Sequence, residues 1–73
     1  MKRRGWTVYV VRCRDGSLYT GVAKDLERRI AAHDSGKGAA YTRGRGPVEL
    51  QWSVSGYSHG RALAREARIK SLS

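Results

Sequence analysis

Cysteine is nearly absent from this chain of 73 residues: Cys13 stands alone. No internal disulfide can form, and one cysteine with two scattered histidines fits no zinc-site spacing. Long apolar runs are missing too; none approaches the roughly 20 residues of a membrane-spanning helix. The start, Met1-Lys2-Arg3-Arg4, resembles the basic front of a signal peptide, but Gly5-Trp6-Thr7 and strand-like sequence follow it, which argues against export. There is no repeat, low-complexity tract or linker. These absences leave a single domain over residues 1–73 with a cytoplasmic address. A chain this short buries only about 60% of the surface its unfolded form exposes.

Acidic residues are also scarce. Six Asp and Glu face fifteen Lys and Arg, a net charge of +9. Such a field favours polyanions. Charge alone separates neither DNA from RNA nor either from an anionic membrane. No basic amphipathic helix with a Trp, Phe or Leu face is visible, so a membrane partner is not expected.

What is present reads as β-β-α-β-α. Trp6 to Arg12 is rich in β-formers, Asp15-Gly16 signals a turn, and Ser17 to Ala23 reads as the second strand of a hairpin. Asp25 is a natural cap for a helix from Leu26 to Asp34, and Ser35-Gly36 stops it. Residues 37–47 form a basic, glycine-rich loop. Val48, Leu50, Trp52 and Val54 alternate with polar residues, which predicts a half-buried third strand. Ser58 caps a last helix from about His59 to Leu72. The fold class expected is α+β: a small, three-stranded, mainly antiparallel sheet flanked by helices.

Polar residues on apolar stripes carry the chemistry. Leu26, Ile30 and His33 share one helix face, with Arg29 beside them. In the last helix Leu63, Glu66, Ile69 and Leu72 form a stripe, so Glu66 must be paired, hydrogen-bonded or metal-bound. Structural alternatives stay open: His33 bonded to a backbone carbonyl, Glu66 paired with Arg29 or another arginine. Tyr9 and Tyr19 share a face only if the hairpin closes through a three-residue connection, Arg14-Asp15-Gly16, with Gly16 at positive φ. Two phenols, a guanidinium, an imidazole and a carboxylate are the parts that phosphodiester cleavage needs: a base for water, a cation for the phosphate, and an anchor for a hard metal. Tyr41, Arg43 and Arg45 interleave an aromatic with cations in the loop that begins at Lys37. That suits phosphate contact and base stacking, or a solvated loop with Tyr41 tucked against the sheet.

In this order and spacing the motifs resemble the GIY-YIG nuclease signature. Thr7-Val8-Tyr9 stands for Gly-Ile-Tyr and Tyr19-Thr20-Gly21 for Tyr-Ile-Gly. Arg29 to His33 is similar to the family's Arg-x-x-x-His helix, and Ala64-Arg65-Glu66-Ala67-Arg68-Ile69-Lys70 to its glutamate helix. The loop from Gly36 to Pro47 resembles that of the small stand-alone bacterial members. The resemblance implies a metal-dependent DNA endonuclease, with RNA still open. Tyr9 would be the general base and Tyr19 and His33 its hydrogen-bonding partners. Arg29 would stabilise phosphate charge, Glu66 would anchor one Mg²⁺ or Mn²⁺, and Gly21 would allow close backbone approach. The chain departs from the pattern by having no Asn after the glutamate helix, and it ends at Ser73, where similar proteins continue, so a C-terminally short domain is expected. Specificity is expected to be weak or structure-dependent, or supplied by a protein partner or additional domain.

Overall fold

The computed structural model describes residues 5–39 and 41–72; the basic residues 2–4 lie outside them. Five elements follow one another: β1 (Trp6–Arg12), β2 (Leu18–Ala23), α1 (Leu26–Asp34), β3 (Glu49–Tyr57) and α2 (His59–Ser71). The sheet order is β2-β1-β3 and both pairings are antiparallel. This is the α+β arrangement expected from the patterning.

The hairpin closes in the three-residue form. Cys13 N–H donates to Ser17 O at 2.8 Å and Gly16 N–H to Cys13 O at 2.9 Å, with Gly16 at φ +88. Asp15 Oδ1 accepts from Ser17 N at 3.0 Å. The resulting register pairs Tyr9 with Gly21 and Val11 with Tyr19. Strand side chains alternate between faces, so Tyr9 and Tyr19 lie on the same one.

That face carries the main core. Tyr9, Val11, Cys13, Ala23, Leu26 and Val48 cluster there, with Tyr19 and Ile30 packed against them. Asp25 caps α1 by accepting from Arg28 N at 3.2 Å, and Leu26 and His33 are the residues α1 buries. Val8 is fully buried outside this cluster; by alternation it points to the opposite face. There Arg65 of α2 lies over the Trp52 ring, Trp52 pairs with Val10, and Ala62 is fully buried. α2 thus meets Trp52 on this face through Arg65, while farther along the helix Lys70 reaches the Tyr19 ring at 5.5 Å.

Two expectations need correction. β3 begins one residue later than Val48 and runs three residues past Val54. Val48 instead anchors the end of the loop, its N–H donating to Asp34 Oδ1 at 2.7 Å. The β1–β3 register also shifts twice: Val11 pairs with Leu50 but Val10 with Trp52. One bulge thus breaks the alternation and sends Leu50 and Trp52 to different faces. Leu50, Trp52 and Val54 remain 41%, 37% and 38% exposed. In α2, Ala62 is buried and Glu66 and Ile69 are half-buried, whereas Leu63 and Leu72 face outward. The buried stripe is rotated by about one residue from the Leu63–Leu72 line.

Candidate active site

The site starts at the hairpin. A Cβ placed on Gly21 would sit 2.5 Å from Tyr9 Oη, 2.7 Å from Tyr9 Cζ and 3.1 Å from Tyr19 Cε2. Gly21 is therefore needed for a packing reason: only a bare Cα lets the Tyr9 phenol lie across β2 beside Tyr19. Tyr9 itself is 1% exposed.

α1 delivers His33 to the Tyr9 hydroxyl. Tyr9 Oη and His33 Nε2 are 2.8 Å apart, and the Tyr19 ring meets the imidazole edge-on at 5.4 Å between centroids. The other ring nitrogen, Nδ1, lies 2.7 Å from Thr42 Oγ1. Both nitrogens thus bond side-chain hydroxyls, and the expected alternative of a backbone carbonyl is not used. The basic loop closes over the ring: a Cβ on Gly38 would collide with His33 Nδ1 and Cγ. Thr42 was absent from the sequence reading. A threonine between Tyr41 and Arg43 looks like loop surface, yet it is fully buried.

The electrostatics follow from this packing. Burial pushes the Tyr9 hydroxyl well above its ordinary pKa of 10, and the charges of Tyr19 and Glu66 add to that; Arg29 opposes them. Burial, then Arg29, pushes His33 below its ordinary 6.5, against the pull of Asp34. At neutral pH the pair is a protonated phenol and a neutral imidazole. Arg29 is exposed on α1, within electrostatic reach of both.

Glu66 comes from α2, and its side chain is 19% exposed. Among the described residues its ion-pair partner is Lys70, at 3.3 Å one turn on, and not an arginine. Lys70 Nζ also lies 5.5 Å over the Tyr19 ring. Tyr9, Tyr19, Arg29, His33 and Glu66 therefore converge from β1, β2, α1 and α2. Among the described residues no group of three or more His, Cys, Asp or Glu could ligate a metal. Glu66 alone, half-buried and now holding a lysine ammonium, fits a hard cation that takes one carboxylate and keeps most of its waters.

The loop residues divide. Tyr41 is 42% exposed and stacks on Tyr19 at 5.7 Å, with the Arg45 guanidinium 4.6 Å from its centroid. Tyr41 thus rests on the sheet, as the structural alternative expected, and still presents surface. Arg45 binds Asp15 at 2.7 Å, and its carbonyl accepts from Arg14 N at 2.7 Å, so it clasps the loop to the hairpin turn. Lys37 and Arg43 point into solvent.

A family model described as the GIY-YIG catalytic domain matches residues 5–73. The chain belongs to the GIY-YIG family. It is 53% identical over 66 residues to a UPF0213 protein of Halobacterium salinarum, covering 90% of this chain and 86% of that one. It is also 41% identical to a putative GIY-YIG domain-containing protein of Invertebrate iridescent virus 6, covering 94% and 71%. The solution structure of a UPF0213 protein from Bacillus halodurans is similar, with a TM-score of 0.57 and 48% identity over 93% of this chain and 72% of that one. GIY-YIG membership makes this a domain of a nuclease family. Among the described residues no helix is long and apolar enough to cross a membrane.

Proposed function

We propose that this GIY-YIG chain is a divalent-metal-dependent endonuclease that hydrolyses DNA phosphodiester bonds with weak sequence preference or structure-dependent recognition. The observation that carries the reading is the buried 2.8 Å contact between Tyr9 Oη and the neutral His33, set beside Arg29 and Glu66. A phenol with a raised pKa is a poor base alone. With an imidazole in line it can take a proton from water while passing its own to His33. The hydroxide then attacks phosphorus, the P–O bond to the leaving oxygen breaks, and His33 holds the proton as imidazolium until solvent collects it. Arg29 offsets phosphate charge as it builds. Glu66 would hold Mg²⁺ or Mn²⁺, which supplies Lewis acidity to phosphate and leaving-group oxygens when bound. Lys37, Tyr41 and Arg43 would grip the nucleic acid, with Arg45 and Gly21 shaping the surface they act from.

A second reading, a binding module without turnover or one completed by a partner, is favoured by the exposed apolar side chains of Leu50, Trp52, Val54 and Leu63. The test is a panel of labelled single-stranded, duplex, nicked, flapped and branched DNA, and RNA, with and without Mg²⁺ or Mn²⁺. Cutting that requires metal and disappears in both Glu66→Ala and Tyr9→Phe upholds the nuclease. Salt-sensitive binding without cutting, unchanged in both variants, favours the module.

A further inference from the structure

The mechanism needs more than proximity between Tyr9 and His33; it needs the imidazole to present a lone pair. In a neutral imidazole one nitrogen carries the proton and the other accepts, and the partner of each decides which. Thr42 Oγ1 lies 3.0 Å from Ala39 O, and a carbonyl only accepts. The hydroxyl therefore donates its single proton to Ala39. Were that proton turned toward His33 instead, two oxygens would face each other at 3.0 Å with nothing between them. Toward His33 Nδ1, at 2.7 Å, Thr42 is left with lone pairs alone. Nδ1 must bring the proton, so Nε2 has none, and the Tyr9 hydroxyl donates to it.

We infer that Thr42 is a positioning residue that locks His33 in the Nδ1–H tautomer and so makes Nε2 the acceptor of the Tyr9 proton. Three features of the loop serve this lock. Thr42 N–H also donates to Ala39 O at 3.1 Å, which fixes the turn that supplies the carbonyl. Arg45 N–H donates to Thr42 O at 3.0 Å, which ties the turn to the clasp at the hairpin. Gly38 brings bare backbone against the imidazole where any Cβ would displace it. The stretch that displays Tyr41 and Arg43 to solvent is thus the stretch that sets the proton inventory of the buried base. The catalytic use of the lock rests on the proposed nuclease reading; the lock itself does not.

The experiment is a long-range ¹H–¹⁵N spectrum of the labelled protein at mildly alkaline pH, where the ring nitrogens of only two histidines appear. His33→Gln assigns the signals. The expected wild-type pattern is a protonated Nδ1 and an unprotonated Nε2 at His33. Thr42→Ser, which keeps the hydroxyl, retains that pattern; Thr42→Val, which keeps the shape and loses the acceptor, shifts protons toward Nε2. On cleavage, Thr42→Val should lower kcat by about 10–100-fold with KM little changed, and Thr42→Ser should restore most of it. A wild-type His33 protonated on Nε2 overturns the proposal whether or not Thr42→Val folds. So does a folded Thr42→Val with the wild-type tautomer. An Nδ1–H signal in a wild type that cuts nothing upholds the lock and sinks the nuclease reading instead.

Discussion

At the scale of single residues, the proposed chemistry rests on two hydrogen-bonded rings, and glycines decide whether the rings fit. Gly21→Ala would place a methyl 2.5 Å from Tyr9 Oη, and neither β2 nor the buried phenol has room to retreat. The variant is expected to fold with a loss of about 1–3 kcal/mol, the range for overpacking a filled core, and to lose the Tyr9–His33 contact. Thermal unfolding and the His33 ring signals would check both. Acid sensitivity belongs here too. The folded-state pKa of His33 lies below the unfolded 6.5, so the unfolded chain binds the proton more readily. Stability from this group is complete above about pH 7 and is lost as pH falls through 6.5 toward the lower folded value. Asp15, also held low by Ser17 and Arg45, acts only below its own unfolded 3.8, in a separate window. Unfolding midpoints from pH 8 to 5 should fall in wild type and stay flatter in His33→Gln; equal slopes would remove His33 from the account.

At the scale of elements, capping and turn chemistry were legible in the sequence, and packing direction was not. Asp25 and Ser58 read as helix caps and are helix caps, because a short side-chain oxygen before a helix has one obvious donor to satisfy. The Arg14-Asp15-Gly16 connection was readable because only that length puts both tyrosines on one face. The bulges in β3 left no such mark: a register shift depends on what β1 presents, which alternation along β3 cannot reveal. The outward turn of Leu63 was hidden for a similar reason, since small Ala62 fills the closest approach to the sheet. Thr42 was missed because burial of a loop threonine depends on a histidine nine residues earlier. The loop also sorts its own cations. Arg45 is engaged by Asp15 and Tyr41, whereas Arg43 is exposed. Arg43→Ala should therefore weaken DNA binding and flatten its log–log salt slope by about one. Arg45→Ala should cost little stability, within about 1 kcal/mol for an exposed pair, but loosen the clasp on Thr42 and so lower the cleavage rate. Fluorescence anisotropy across a salt series, beside single-turnover cleavage, separates a lost phosphate contact from a displaced base.

At the scale of the whole molecule, a net charge of +9 on 73 residues favours polyanions before any site is engaged, and the proposed DNA substrate would meet that field first. The sheet is open at β3: its residues are exposed along most of the strand, and Leu63 and Leu72 leave apolar surface on α2. Charge and apolar surface make opposite demands on salt. Electrostatic capture of DNA releases counterions, so about five phosphate contacts give a log–log slope near −4 to −5. Apolar association between copies, or with a partner protein, is strengthened by excluded salts such as sulfate. Gel filtration at rising sulfate concentration, with and without DNA, reads both at once. If the chain works alone, it elutes at the size of one copy throughout, and the DNA complex dissolves as salt rises. If the exposed face of β3 and α2 needs cover, larger species appear as salt rises and DNA leaves, and Trp52→Arg suppresses them without changing the slope of DNA binding. That second outcome would mean the catalytic half of the sheet is complete in this chain while its outer half is not.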